Sequence, residues 1–456
     1  LPKKDPMEVA TVICQIILFL VPLGLGAKFG PMALIGASGV SVFVMVEFMR
    51  TQPGTPPTSA VFIILAVVSA TAAMSAAGGM DYLVRLAGKA MGKHPGSIPV
   101  VGPLFVWLFA VLSGTGNIAL ALIPILYKVS YAAKIRPERV LSTATVVSQV
   151  ALMASPVAAP TYVFLTLTQD QGTSLGKILL VTIPTTLIAT ILTSLVMSRK
   201  GKNLDQDPEY LRRLKEGKIK PPEGLDEADL PPLKPGAALS AYIFIGSVVV
   251  GTILGFFETL RPTYLKELTD GSMIVQRVPM SFMIPVVMFA AAGLIMVACK
   301  VHTKKVMDQP IVGTGLIAAL LLLSVPVLAG TIVNDHYAAI ESWVGSVIGV
   351  STLFFALLLF LLAALIQSQV ASMTILIPIA AAAGLGAGPM IGMMGAAAGN
   401  NLLASMGGIG QAAILTDKTG STKQGSFLIN SSFLLPMLLS VVFSLIFGLL
   451  IQMVVF

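Results

Sequence analysis

Apolar runs of about 20 residues recur along nearly the whole chain. Eight continuous runs are predicted as membrane spans, at 7–27, 30–49, 58–77, 177–198, 237–258, 282–299, 311–331 and 425–452. A hydrocarbon layer about 30 Å thick requires a helix of roughly 20 apolar residues. Only 11% of the 456 residues are charged, against about 25% in soluble domains. The pattern predicts an all-α polytopic membrane protein.

Two further predicted spans are interrupted in the middle. The first begins near Arg139 and breaks at 154–160, where two prolines four residues apart each remove an amide donor and clash with the preceding turn. The second covers 389–416 and breaks at 404–410, where three glycines stand. Together with the continuous runs, these segments give about ten transmembrane helices, two of them broken.

Two short polar segments separate apolar runs that are too short to cross a bilayer. The first, at 112–118, lies inside a predicted helical hairpin at 97–127, and the second, at 367–372, lies inside one at 346–385. Irregular backbone at membrane depth survives only where protein or a water-filled cavity satisfies its amides and carbonyls. We therefore expect two re-entrant hairpins whose tips lie inside the protein.

The two halves of the chain repeat the same plan. Residues 118–125 and 372–379 are identical at four of eight aligned positions and end in Leu-Ile-Pro-Ile. The predicted organisation is a first repeat at 1–198, a linker at 199–236 and a second repeat at 237–456. Five spans plus a hairpin give each half an odd number of crossings, so the halves are inverted relative to each other. Inverted-topology repeats are typical of secondary transporters.

Basic residues orient this arrangement. Both flanks of the first hairpin and the linker are rich in Lys and Arg, whereas 333–343 contains neither, and cytoplasmic loops carry the excess of these residues. The first hairpin and the linker should therefore face the cytoplasm, and the second hairpin and both termini the periplasm. Of the 29 basic residues, this orientation places about three-quarters inside.

The candidate substrate site consists of residues at the hairpin tips and helix breaks. They are hydroxyl and amide residues together with the glycines and the proline of the turns: Ser113, Gly114, Thr115, Gly116, Asn117, Gln149, Ser155, Pro156, Ser368, Gln369, Ser372, Asn400, Asn401 and Ser405. None is charged. Half-helix N-termini and neutral donors can hold a carboxylate substrate without a buried cation.

The sequence does not indicate a metal centre or a cofactor. The three histidines, His94, His302 and His336, are scattered, and no carboxylate-rich cluster accompanies them. Backbone carbonyls freed near Ser155 and Gly407 could bind sodium as a coupling ion, and exchange without any coupling ion fits equally well. The net charge of +8 is explained by the loop asymmetry, so no nucleic-acid partner is expected.

Several stretches, in chain order, resemble the Dcu family of anaerobic C4-dicarboxylate transporters. They are 113–124 (SGTGNIALALIP), 139–144 (RVLSTA), 368–371 (SQVA) and 417–422 (DKTGST). The resemblance implies a carrier of the bacterial inner membrane for fumarate, succinate, malate or aspartate, working by exchange or by cation-coupled uptake. It also implies a homodimer in which a transport domain moves against a scaffold as an elevator.

One stretch departs from this family. Residues 405–411 read Ser-Met-Gly-Gly-Ile-Gly-Gln where the family has a Pro-Thr-Tyr-Pro-like segment in the second broken helix. A related carrier for a different small organic anion therefore stays open, as does, less favoured, a channel. An intramembrane protease would need a Ser/His or Asp/Asp pair inside the spans, and the sequence shows none, so an enzyme is not expected.

Overall fold

The computed structural model describes residues 6–56, 58–219, 230–267, 272–336, 351–366, 368–402, 408–424 and 431–456. In the first half the helices are α1 (Pro6–Phe29), α2 (Pro31–Met49), α3 (Thr58–Ala76), α4 (Gly79–Lys93), α5 (Ile98–Ser113), α6 (Ile118–Ala132), α7 (Pro137–Val150), α8 (Ala159–Thr168) and α9 (Leu175–Ser198). After them come α10 (Pro208–Lys215), α11 (Ala237–Phe256), α12 (Met280–Ala298), α13 (Thr303–Met307), α14 (Pro310–Asp335), α15 (Leu353–Ile366), α16 (Gln369–Ala382), α17 (Ala387–Gly392), α18 (Gly408–Thr416) and α19 (Leu434–Val455).

The predicted all-α polytopic membrane fold is confirmed. Within the described residues, 8 helices are long and apolar enough to cross a membrane, or up to 9 if α3 and α4 count as one bent span. The sequence predicted ten, and one of the 8, Pro95–Ser113, is an arm of the first hairpin, for which the prediction of a run too short to cross a bilayer was wrong. Part of the difference arises at 389–416, because this segment is divided into α17, a 3₁₀ segment at Met394–Asn401 and α18, none of which is long enough to span alone.

A bend of 69° separates α3 from α4. Gly78, which immediately precedes α4, has φ of +88°, a left-handed conformation that costs glycine little because it has no Cβ. Unlike α3, α4 is amphipathic and packs its apolar face against α6 and α11. The bend therefore turns the end of a membrane helix toward the beginning of α11.

The described part of the linker is folded against the first hairpin. It contains the short helix α10, whose first turn is capped by Asp207, since its carboxylate accepts hydrogen bonds from the amides of Glu209 and Tyr210. Asp207 also pairs with Arg136, which follows α6. Tyr210 packs edge-on against Tyr131 of α6, at 6.1 Å between ring centroids. These contacts join the linker to the exit of the hairpin.

A small antiparallel β-hairpin between α11 and α12 was not predicted. β1 (Thr263–Glu267) pairs with β2 (Met273–Arg277), with Thr263 opposite Arg277. Its residues are exposed except Gln276, which is half-buried. Such short strands carry little hydrophobic pattern, because neither face is buried in a core.

The helices pack so that the polar segments meet in the interior. α5 packs on α6, and α15 packs on α16, so each predicted hairpin consists of two helices in contact. α16 also contacts α8, while α3 packs against both α12 and α14. The region between the hairpin tips and the α3–α14 pair is where the cavities lie.

Candidate substrate site

Two adjoining cavities lie at the hairpin tips. The inner cavity has a volume of about 420 Å³, and the neighbouring vestibule has a volume of about 810 Å³. Both are lined by Thr115, Asn117, Gln149, Ile311 and Asn400. A ligand moving from one cavity to the other would therefore stay in contact with the same polar side chains.

The tip of the first hairpin fits closely against the first broken helix. Gly114, which immediately follows α5, has φ of +67°, and a Cβ built there would lie 2.8 Å from the carbonyl oxygen of Val157. A Cβ on Gly116 would lie 2.1 Å from Nε2 of Gln149. Larger residues at these two positions would displace the tip or the side chain opposite it. The glycines thus allow the close approach that forms one wall of the inner cavity.

Hydroxyl groups near the first break bond mainly to the backbone. Ser155 is fully buried, and its Oγ donates to the carbonyl of Val111 at 2.6 Å and accepts from the amide of Val157 at 3.2 Å. The Tyr162 hydroxyl donates to the carbonyl of Pro156. Neither Ser155 nor Pro156 is among the described lining residues of the two cavities. In this structure Ser155 holds the break to α5, and Pro156 is bonded to α8.

The second hairpin reaches both broken helices through Gln369. The Nε2 group of Gln369 donates to the carbonyl of Gln149 at 3.0 Å and to Oδ1 of Asn400 at 3.4 Å. Within the described structure, its Oε1 atom is buried without a hydrogen-bond partner. Ser368 caps α16 by accepting from the amide of Ala371 at 3.2 Å. The tip therefore supplies a fixed amide side chain with one unused acceptor.

Three helix N-termini line the inner cavity. Asn117 precedes α6, Ala159 and Pro160 begin α8, and Ser368 and Gln369 begin α16. Each helix start carries a partial positive charge of roughly half a unit, from its aligned peptide dipoles and unpaired amides. None of the described residues that line this cavity is charged. Its electrostatics therefore favour an anion without any cationic side chain.

Most of the predicted site residues are brought together. The inner cavity is lined by Ser113, Gly114, Thr115, Gly116, Asn117, Gln149, Ser368, Gln369 and Asn400. Asn401 lines the vestibule instead. Ser372 is fully buried and donates to the carbonyls of Ser368 and Gln369, at 2.8 and 3.0 Å. Like Ser155 and Pro156, it lines neither cavity within the described chain. Ser405 and Gly407 lie outside the described residues.

The opposite wall of the inner cavity was missed from the sequence. It is formed by α3 and α14, which contribute Thr71, Ile311 and Gly315. A Cβ on Gly315 would lie 2.3 Å from a methyl group of Val68, so the two helices approach closely here. Both segments are continuous apolar runs, in which nothing distinguishes a cavity wall from a lipid-facing span. The vestibule adds Asp81 and Lys234, which the site prediction also omitted.

Metal-ligand side chains are not clustered in the described parts of the chain. There, no group of three or more His, Cys, Asp or Glu could hold a metal ion. A sodium site at the backbone of Ser155 and Gly407 stays a prediction.

Comparison with known proteins identifies the family. The family described as anaerobic C4-dicarboxylate membrane transporters matches residues 11–456. The chain belongs to this family. The resemblance inferred from 113–124 and the later motifs is thereby confirmed.

Curated Dcu relatives align over nearly their full length. The C4-dicarboxylate transporter DcuA of Helicobacter pylori is 33% identical over 450 residues, covering 95% of this chain and 97% of the relative. DcuA of Escherichia coli K12 is 30% identical over 442 residues, covering 96% and 98% respectively. An anaerobic C4-dicarboxylate transporter DcuB of E. coli is 29% identical over 442 residues, covering 95% and 97%. The Dcu relatives are transporters and not enzymes, as the sequence predicts for this chain.

One solved structure is also similar over most of the chain. It is Neisseria gonorrhoeae MtrF, described as illuminating a class of antimetabolite efflux pumps, with a TM-score of 0.46 and 13% sequence identity, covering 99% of this chain and 95% of that one. A score at this level supports no conclusion about the Dcu chain.

Proposed function

We propose that this protein is a secondary active transporter of C4-dicarboxylates such as succinate, fumarate, malate and aspartate. The observation that carries the proposal is the convergence of the α6, α8 and α16 N-termini on an uncharged polar cavity. Its volume of about 420 Å³ falls within the range of small-molecule sites. Curated Dcu relatives named for C4-dicarboxylates support the choice of anion.

Each hairpin tip would hold one carboxylate. Asn117 with the start of α6 offers donors on one side, and Ser368 with the start of α16 offers donors on the other. The Nε2 group of Gln369 already donates to Gln149 and Asn400, so this side chain would act by keeping the second hairpin in register with the two broken helices. Held this way, a dianion is bound by dipoles and neutral donors, which suits a carrier that must also release it.

Transport would follow an elevator cycle. The two hairpins and the broken helices α7–α8 and α17–α18 would move together, against a scaffold that includes α3 and α14. We place the protein in the bacterial inner membrane as a homodimer, with both termini periplasmic, the first hairpin facing the cytoplasm and the second facing the periplasm. The proposal covers exchange and cation-coupled transport, with sodium at backbone carbonyls near Ser155 and Gly407 as the candidate coupling ion.

Counterflow in proteoliposomes tests this function. Vesicles containing purified protein are loaded with unlabelled succinate and diluted into traces of labelled succinate, fumarate, aspartate or acetate, with and without sodium. The expected result is saturable, transient accumulation of the C4-dicarboxylates but not of acetate. Accumulation of acetate alone would favour a carrier for another organic anion. Conductance without counterflow would favour a channel.

A further inference from the structure

The vestibule differs from the inner cavity in carrying two charged residues. Asp81, near the start of α4, and Lys234, just before α11, are the charged members among its described lining residues. Burial raises the pKa of the Asp81 carboxyl, and the nearby charge of Lys234 partly opposes that rise. Lys234 is exposed and Asp81 is half-buried, so the ammonium is accessible from solvent on this side of the protein.

Close packing holds the Lys234 side chain in place. A Cβ on Gly78 would lie 3.2 Å from Cβ and 3.3 Å from Cδ of Lys234, so the aliphatic stem lies directly against the bend between α3 and α4. Its Nζ donates to the carbonyl oxygen of Ala76, the last residue of α3, at 3.4 Å. The ammonium is thus fixed at the edge of the vestibule.

A purely structural role would be to cap the C-terminus of α3, whose free carbonyls attract a cation. That contact is long and takes one of the three donors of an ammonium. It does not explain why the charge lies on a cavity that continues, through Asn117, Gln149 and Asn400, into the proposed substrate site. An anion in the vestibule would meet Lys234 first and then the neutral amides that both cavities share.

We propose that the vestibule is a second anion site, in which Lys234 attracts the carboxylates of the substrate before they pass into the inner cavity, while Asp81 weakens that attraction. This inference rests on the proposed function and deepens it. Charges along a cleft can raise association rates by about 10- to 1000-fold, and ionic strength reduces the effect. Asp81 limits how tightly a dianion stays in the vestibule, which allows it to move on.

Two charge-neutral variants should act in opposite directions. We expect Lys234→Gln to raise the apparent KM for succinate on the vestibule side several-fold and to remove the dependence of the subsaturating rate on ionic strength. We expect Asp81→Asn to lower that KM and to strengthen the salt dependence. Lys93→Gln, at the exposed end of α4, is the matched control. It also removes one positive charge from the region of α4 and α11, but Lys93 lines neither cavity.

The measurement is succinate counterflow at 20 and 200 mM KCl, for vesicles sorted by protein orientation, with thermal unfolding of each variant alongside. If Lys234→Gln shows the same KM and salt response as Lys93→Gln, the vestibule site is overturned. It is also overturned if Lys234→Gln and Asp81→Asn both lose transport and unfold at lower temperature, because the two residues would then have structural roles. If the wild-type protein still exchanges succinate while Lys234→Gln behaves like the control, the vestibule proposal fails and the proposed transport function stands. If wild-type protein exchanges no dicarboxylate, both proposals fall.

Discussion

The side-chain amide of Gln369 donates a hydrogen bond of 3.0 Å to the backbone carbonyl of Gln149, a residue 220 positions earlier in the chain. This bond joins the second hairpin to the end of α7. The 3₁₀ segment Ala151–Ala154 follows α7 directly, and the Gln149 carbonyl also accepts from the amide of Ala151, so Gln369 adds a second donor to it from the other half of the chain. The contact makes the geometry of one half of the chain depend on the other at the inner cavity.

Gln369→Ala should lower the rate of dicarboxylate exchange roughly fivefold, because a lost hydrogen bond is worth about 1 kcal/mol and the second hairpin would lose its register with α7. Gln369→Glu should lower it by roughly a hundredfold, since an intramembrane carboxylate costs several kcal/mol and repels an anionic substrate. Initial rates of counterflow test both. The exposed Gln171→Ala is the control, and equal rates for the Ala and Glu variants would contradict the anionic site.

Asn117→Ala should abolish transport while leaving the protein folded. Asn117 lines both cavities and makes no side-chain capping hydrogen bond to α6, so its amide is available to a ligand. Uptake and the thermal unfolding midpoint should be measured on the same preparation, with the exposed Asn334→Ala for comparison. Wild-type uptake by the Asn117 variant would remove this residue from the site.

Ser155→Ala should reduce stability and leave the KM unchanged. Its hydroxyl bonds to the carbonyl of Val111 at 2.6 Å, and a buried acceptor left unpaired costs about 1–3 kcal/mol. Ser194→Ala is a matched control, because in the described structure the buried Ser194 hydroxyl has no partner. Thermal unfolding and the KM for succinate separate the two roles. A raised KM with unchanged stability would return Ser155 to the substrate site.

Gly114→Ala should mainly lower stability, whereas Gly116→Ala should mainly raise the KM. The first forces a side chain into φ of +67° and against the carbonyl of Val157, so it should cost at least 1–2 kcal/mol of stability. The second meets the end of the Gln149 side chain at 2.1 Å and, less closely, the carbonyl oxygen of Ser148 at 3.1 Å, so it should mainly raise the KM by moving that amide into the cavity. Gly246→Ala in α11, where the added Cβ meets nothing within 4 Å, controls for the exchange of Gly for Ala. Equal unfolding midpoints for the two tip variants would argue against this distinction.

Polar residues at membrane depth were the part of the site that sequence could predict. Residues 113–117 and 368–369 stand out because hydroxyls, amides and glycines cluster there between apolar runs, and irregular backbone at membrane depth must be satisfied by protein or a water-filled cavity. The same logic selected Ser155 and Ser372, and here it failed to separate hydroxyls that face the cavity from those that bond to the backbone. That distinction depends on contacts such as Ser155 with Val111, 44 residues apart, which no local pattern records.

The parts that sequence could not predict are those without a local signal. Thr71 and Gly315 lie in helices whose apolar runs look like any other span, and only their packing makes them a wall of the inner cavity. Lys234 is one of many basic residues in the predicted cytoplasmic linker. Its position follows from the bend at Gly78, and a glycine between apolar segments does not specify the direction of a bend.

The uncharged inner cavity has a consequence for the membrane potential. With no formal charge on its described lining residues, the cavity contributes nothing to offset the charge of its occupant, and a dicarboxylate would carry both of its charges across the bilayer. Each charge moved through 100 mV is worth about 2.3 kcal/mol. One-for-one exchange of dianions would then be indifferent to voltage, whereas net import would work against a negative interior unless two or more cations accompanied the substrate.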